Sequence, residues 1–196
     1  MTSRFWRAGS NNAISPNCNV LADAVSTATT WAAATDWTLT NTNLTAERTA
    51  TANFWSLLHS TFAKTTFGRV DVTVNAIASA SYPGRAVIGV GTGGETQYPG
   101  QDPSGYGAGY AQTGEIFWAN DTITTVASYT TGDVIGVERP NADTVKFYKN
   151  GTFVYTLDLS DPAHNPSGAL RTSPGYIVVA NGNTIGLKVT ADFSAW

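Results

Sequence analysis

Charge is what this chain has least of. Of its 196 residues 13% are charged, 11 basic and 14 acidic, about half the usual share. A net charge of −3 with no basic run argues against a nucleic-acid binder, which needs a cationic patch. There is one cysteine, Cys18, so an internal disulfide is excluded. With His59 and His164 as the two histidines, a Cys/His zinc site has too few ligands. No apolar run approaches the roughly 18 residues of a membrane-spanning helix. Basic residues at Arg4 and Arg7 lead into Ala8-Gly9-Ser10-Asn11-Asn12, which is turn chemistry and not the apolar stretch of a secretory signal. The expectation is a protein made in the cytoplasm without a Sec signal. The sequons at Asn43, Asn120 and Asn150 then read as chance.

What the chain does have is short alternation broken by Gly and Asn. Val70, Val72 and Val74 alternate with Arg69, Asp71 and Thr73, and Ile185, Leu187, Val189, Ala191 and Phe193 repeat every second residue. Both runs predict half-buried strands. Ala86 to Val90 and Val134 to Val137 are continuous apolar runs, as in strands covered on both faces. Thr144 to Lys149 and Thr152 to Leu157 are joined by Asn150-Gly151, the strongest short hairpin signal. Tyr176 to Ala180 is a further strand. Phe54 to Phe62 fits a helix and a strand equally, and the alanines of 22–34 allow a short helix. Strands and turns with no long helical pattern predict an antiparallel sandwich or barrel.

Residues 91–114 break this rhythm, with Gly91, Gly93, Gly94, Gly100, Gly105, Gly107, Gly109 and Gly114 set among tyrosines. So long a loop is usually functional or disordered, and Tyr with Gly and Ser is the composition of adaptable binding surfaces. Tyr98, Gln101, Tyr106, Tyr110 and Trp118 are therefore the candidate ligand or partner residues. Trp31, Trp37 and Trp55 are expected in the core.

Gly132-Asp133-Val134-Ile135-Gly136-Val137, a connector, and Val145-Lys146-Phe147-Tyr148-Lys149-Asn150-Gly151 resemble the signature of SPRY domains. These belong to the concanavalin A-like lectin/glucanase superfamily. Ser60 to Lys64 with Gly68-Arg69, Arg85 to Gly91, Tyr176 and the strand ending at Phe193 are similar to other parts of the pattern. The resemblance spans 36–196 and implies an all-β, antiparallel two-sheet jelly-roll sandwich. Residues 1–35 lie outside it and read as an N-terminal arm, with Arg4, Phe5, Trp6 and Arg7 as its attachment residues. The Thr-rich, disulfide-free form resembles SPRY-like modules of bacteriophage virion and tail proteins. One departure stands out: Val70-Asp71-Val72-Thr73-Val74 replaces a strand that in the family is rich in aromatics.

Glucanases of this architecture carry Glu-x-Asp-x-Glu on one strand, so that the two outer carboxylates share a face. No such run exists, and Glu115 and Glu138 lack acidic neighbours at i+2 or i+4. Asn120, Asp121, Asp133, Asn141 and Asp143 resemble a lectin calcium cluster, but Asn and Asp equally serve turns. No metal and no cofactor are expected. The sequence thus predicts a non-enzymatic structural or adhesion component of a phage-like particle, found in the virion and bound to other virion proteins or to copies of itself. The alternative is a carbohydrate-binding module for a cell-surface glycan.

Overall fold

In a computed structural model, residues 28–50, 55–77, 85–165, 167–182 and 184–196 are described. They form strands β1 (Trp37–Thr40), β2 (Thr45–Arg48), β3 (Ser56–His59), β4 (Phe67–Ala76), β5 (Ala86–Gly91), β6 (Gly107–Ala111), β7 (Glu115–Trp118), β8 (Asp121–Thr125), β9 (Val134–Asn141), β10 (Thr144–Lys149) and β11 (Thr152–Asp158). One helical turn, α1 (Ala169–Thr172), precedes β12 (Tyr176–Asn181) and β13 (Lys188–Asp192). A seven-stranded sheet runs β1-β2-β13-β4-β9-β10-β11, and a six-stranded sheet runs β3-β12-β5-β6-β7-β8. Every pairing is antiparallel. The expected jelly-roll sandwich is the observed architecture.

Period-2 alternation decides which side chains meet between the sheets. Val70, Val72 and Val74 of β4, Ile135 and Val137 of β9, and Val145 and Phe147 of β10 face Ile88, Val90, Ala108, Tyr110, Ile116 and Trp118 across the core. The β10–β11 hairpin closes as its sequence predicts. Asn150 and Gly151 have φ of 51° and 77°, and Lys149 pairs with Thr152. The left-handed conformation at both positions is what makes Asn-Gly suitable there. Phe54–Phe62 resolves as strand over Ser56–His59, since Leu58 faces the core while Leu57 packs on the sheet's outer side.

Three expectations shift. Ile185 is 53% exposed, because Gly186 at φ 94° turns the chain before β13 begins. Residues 28–34 are not helical. Trp31 instead bridges Ser60, donates its indole N–H to the Leu44 carbonyl at 2.9 Å and is fully buried in the core. The sandwich therefore begins before residue 36, and the part of the expected arm that is described belongs to the fold. The third shift concerns β9: its outer side is not covered by apolar packing but carries Val134, Gly136 and Glu138 between polar strands. Arg4, Phe5, Trp6 and Arg7 lie outside the described residues.

Candidate functional site

The glycine-rich stretch is a roof and not an open loop. On the outer side of the six-stranded sheet, Gly89 pairs with Gly109 and Gly91 with Gly107, so two neighbouring strands present bare backbone. Residues 92–105 lie down in the resulting trough. A Cβ at Gly109 would stand 2.4 Å from the Pro99 carbonyl oxygen, and one at Gly107 3.1 Å from Pro99. A Cβ at Gly91 would overlap the Glu95 carboxylate at 1.9 Å. That carboxylate accepts the Gly93 N–H at 2.9 Å and sits 3.4 Å from His59 Nε2. Farther along, Tyr98 packs edge-on to Trp55 with ring centres 4.6 Å apart and against Phe117 at 5.1 Å. The Arg85 guanidinium lies over both Phe117 (4.9 Å) and Tyr98 (5.4 Å) and meets Glu115 at 3.3 Å.

This disperses the residues selected from sequence. Tyr110 and Trp118 point inward and are fully buried, and Tyr98, itself part of the roof, is 7% exposed. The Tyr110 hydroxyl donates a hydrogen bond to the Ala127 carbonyl, and the Trp118 indole N–H donates to the His164 carbonyl at 2.7 Å. Neither ring has a free face for a ligand. Gln101 and Tyr106 are half-buried, with the Tyr106 ring against the bare Cα of Gly94. The five residues form no common surface, because Tyr110 and Trp118 point into the core from β6 and β7 while Tyr98, Gln101 and Tyr106 lie in or beside the segment on the sheet's outer side.

The outer side of the seven-stranded sheet is different. One cross-strand row reads Asp71 (β4), Gly136 (β9), Tyr148 (β10) and Phe153 (β11), each the register partner of the next. Without a side chain, Gly136 leaves a dip into which Arg69, Asp71 and Tyr148 lean. Arg69 pairs with Asp71 at 3.0 Å and lies 5.4 Å over the Tyr148 ring. The Tyr148 hydroxyl donates to Glu138, which Lys146 approaches at 3.3 Å. That hydrogen bond, with some burial and the nearby negative charge, pushes the Tyr148 phenol up to about 12. Phe153 stands edge-on to Tyr148 at 5.9 Å and is 54% exposed. Aromatics and both signs of charge thus share one outward platform across four strands.

Sequence reasoning missed this row. Its signal was present in β10, where Lys146 and Tyr148 alternate with the buried Val145 and Phe147, but the pairing that sets Gly136 beside Tyr148 is long-range and carries no local mark.

The carboxylates offer no glucanase geometry. Glu115 lies on β7 and faces out from the six-stranded sheet, while Glu138 lies on β9 and faces out from the seven-stranded one. They point away from each other on opposite sides of the sandwich. Burial opposes ionisation of Glu115, yet hydrogen bonds from Thr113, its own N–H and Arg85 hold it below the usual range. Of the residues resembling a calcium cluster, Asp133 is engaged by Asn150, Thr130 and Lys149, and Asp143 by Arg171 at 2.6 Å. Among the described residues no three His, Cys, Asp or Glu side chains converge.

No protein-family model matches the chain, and no curated protein matches it. Solved structures do. The SPRY domain of human HERC1 superposes with a TM-score of 0.63 at 16% identity, over 83% of this chain and 96% of that one. The fold is SPRY-like. A second human SPRY domain gives a TM-score of 0.60 at 14% identity over 84% of this chain and 99% of the other. The NEUZ (NHR) domain of Neuralized from Drosophila melanogaster gives 0.52 at 12% identity, over 85% and 92%. At such identities the likeness is one of fold, and the SPRY-like sandwich leaves its binding face to be read from its own side chains.

Proposed function

We propose that this chain is a non-enzymatic binding module of a phage-like particle and that it engages a protein partner through the open face of its seven-stranded sheet. The observation that carries the reading is the row Asp71–Gly136–Tyr148–Phe153 with its flanking Arg69, Glu138 and Lys146. Tyr and Arg are the residues that dominate interface energetics, and an exposed Phe beside them supplies apolar area. A protein is favoured over a glycan by the state of the aromatic rings. The Arg69 guanidinium occupies one face of Tyr148, whereas a sugar ring stacks on a bare face. The divergent placement of Glu115 and Glu138 supports a module without hydrolase chemistry, since glycoside hydrolysis needs two carboxyl groups flanking one bond. The virion setting rests on the resemblance of the Thr-rich, disulfide-free form of the chain to SPRY-like modules of virion and tail proteins.

The test is binding of the full chain to purified proteins of the particle and, in parallel, to a panel of bacterial surface polysaccharides. The reading expects a particle protein to bind, with at least tenfold loss in Tyr148→Ala. Binding to polysaccharide alone would replace it with the glycan reading. Failure to find the chain in purified particles by mass spectrometry would remove the virion setting.

A further inference from the structure

Two asparagines of the chain are followed by glycine, in Asn150-Gly151 and Asn181-Gly182. An asparagine before glycine can lose its amide without an enzyme. The main-chain nitrogen of the glycine attacks the asparagine Cγ, the side-chain nitrogen leaves as ammonia, and a five-membered succinimide closes. Water then opens that ring to aspartate or isoaspartate. Glycine favours the step because no side chain shields its nitrogen or restricts the backbone that must bend to close the ring. The two pairs share this chemistry, and the fold treats them differently.

Asn181 is shut away at the end of β12 and is 2% exposed. Its Oδ1 accepts from Arg48 Nη1 and its Nδ2 donates to the Arg85 carbonyl, both at 3.4 Å. The nitrogen that would attack, that of Gly182, donates to the same Arg85 carbonyl. Asn150 and Gly151 are exposed at the tip of the β10–β11 hairpin. Apart from its chain neighbours, nothing lies within 4 Å of where a Cβ of Gly151 would stand, so water reaches the pair. Two hydrogen bonds hold the Asn150 carboxamide. Oδ1 accepts the Val134 N–H at 2.8 Å, and Nδ2 donates to Asp133 Oδ1 at 2.7 Å. A main-chain N–H can only donate and a carboxylate only accept, so the orientation of the amide is fixed. Asp133 is itself anchored by the Thr130 N–H at 2.8 Å and by Lys149 at 3.1 Å. The carboxamide must let go of both partners before its Cγ can turn onto the Gly151 nitrogen.

We infer that Asn150 is a site of spontaneous deamidation whose rate is set by release of its carboxamide from Val134 and Asp133. The product carboxylate has no N–H to give Asp133 and sets a second negative charge beside it. Isoaspartate also adds a main-chain atom to a two-residue turn that closes through left-handed geometry. The turn that joins Tyr148 to Phe153 is thereby loosened as the protein ages. The inference stands on the contacts of the turn and does not depend on the role of the platform.

Peptide mass spectrometry of the full chain, incubated folded in mildly alkaline buffer and in parallel in urea, tests it. In the folded chain the amide-to-acid mass change is expected at least tenfold faster at Asn150 than at Asn181, whereas in urea the two rates should agree within threefold. A folded chain in which Asn150 reacts no faster than Asn181 would overturn the assignment. So would a difference as large in urea as in the folded chain, because sequence and not structure would then set it. Asp133→Ala, which unties Nδ2, should speed reaction at Asn150 at least threefold in the folded chain and leave Asn181 unchanged. An unchanged rate at Asn150 would contradict the proposal, and so would equal acceleration at both sites, since unfolding and not the turn would then be the gate.

Discussion

The two sheets use the same device, a glycine on the outward side of a strand, to opposite ends. In the six-stranded sheet the glycines come in facing pairs, Gly89 with Gly109 and Gly91 with Gly107, and main chain settles onto them. A Cβ at Gly109 meets that main chain, the Pro99 carbonyl at 2.4 Å. In the seven-stranded sheet Gly136 stands alone, and a Cβ there meets Arg69 Cδ and Asp71 Oδ1, both at 2.8 Å, and the Tyr148 Cβ at 3.0 Å. The Arg69 and Asp71 side chains can turn away, and the Tyr148 Cβ needs a shift of only a few tenths of an ångström, whereas the Pro99 carbonyl is main chain and must move much farther. Paired glycines therefore close a face with a roof, and a single glycine leaves an open face with a dip that polar and aromatic side chains fill.

The same substitution on both faces is the sharpest way to break this comparison. Gly109→Ala should cost about 3 kcal/mol or more, because the roof or the strand must move. Gly136→Ala should cost less, about 1 kcal/mol. Denaturant midpoints measure both, and equal losses would mean that the two faces are packed alike. A smaller effect is expected at the roof's edge. Arg85→Met removes the cation over Tyr98 and Phe117 and the partner of Glu115. It should lose about 2 kcal/mol and speed amide exchange in 92–105 while leaving β10–β11 unchanged. Smaller still is Tyr148→Phe, which deletes the bond to Glu138 and should change stability by under about 1 kcal/mol.

Phenol titration reads the Tyr148–Glu138 hydrogen bond directly. Burial first, and then the charge of Asp133, push Tyr110 up to about 12, and Tyr148 reaches about 12 through Glu138. Both folded values lie above the unfolded one. Their contributions to stability are therefore complete below pH 10 and are lost as pH rises toward 12. Ultraviolet titration of wild type and Tyr148→Phe should differ by one phenol ionising near pH 12. A difference near pH 10 would place the Tyr148 hydroxyl in free solvent.

The sandwich was legible in the sequence because its strands are marked locally. The alternation at Val70, Val72 and Val74 and the Asn150-Gly151 turn need no distant partner to be read. Residues 91–114 were read by composition as a binding loop, although β6 (Gly107–Ala111) lies inside them. Glycine there reports close approach of backbone, and composition does not distinguish a chain that roofs a sheet from one that awaits a ligand. Trp31 was assigned to the core by residue type and to an arm by the extent of the resemblance, and its burial resolves the conflict. The platform escaped notice because it is made by register. Asp71, Gly136, Tyr148 and Phe153 come from four strands, and their alignment exists only once β4, β9, β10 and β11 have paired.

The central claim is that binding belongs to the open face and not to the roofed one. Affinity of purified particle proteins for wild type, Tyr148→Ala and Tyr106→Ala, measured side by side, tests it most directly. Tyr148 is on the platform, and Tyr106 is the half-buried tyrosine at the end of the roof. The account predicts at least a tenfold loss of affinity for Tyr148→Ala and less than a twofold change for Tyr106→Ala. The reverse order, with Tyr106→Ala abolishing binding and Tyr148→Ala neutral, would contradict it.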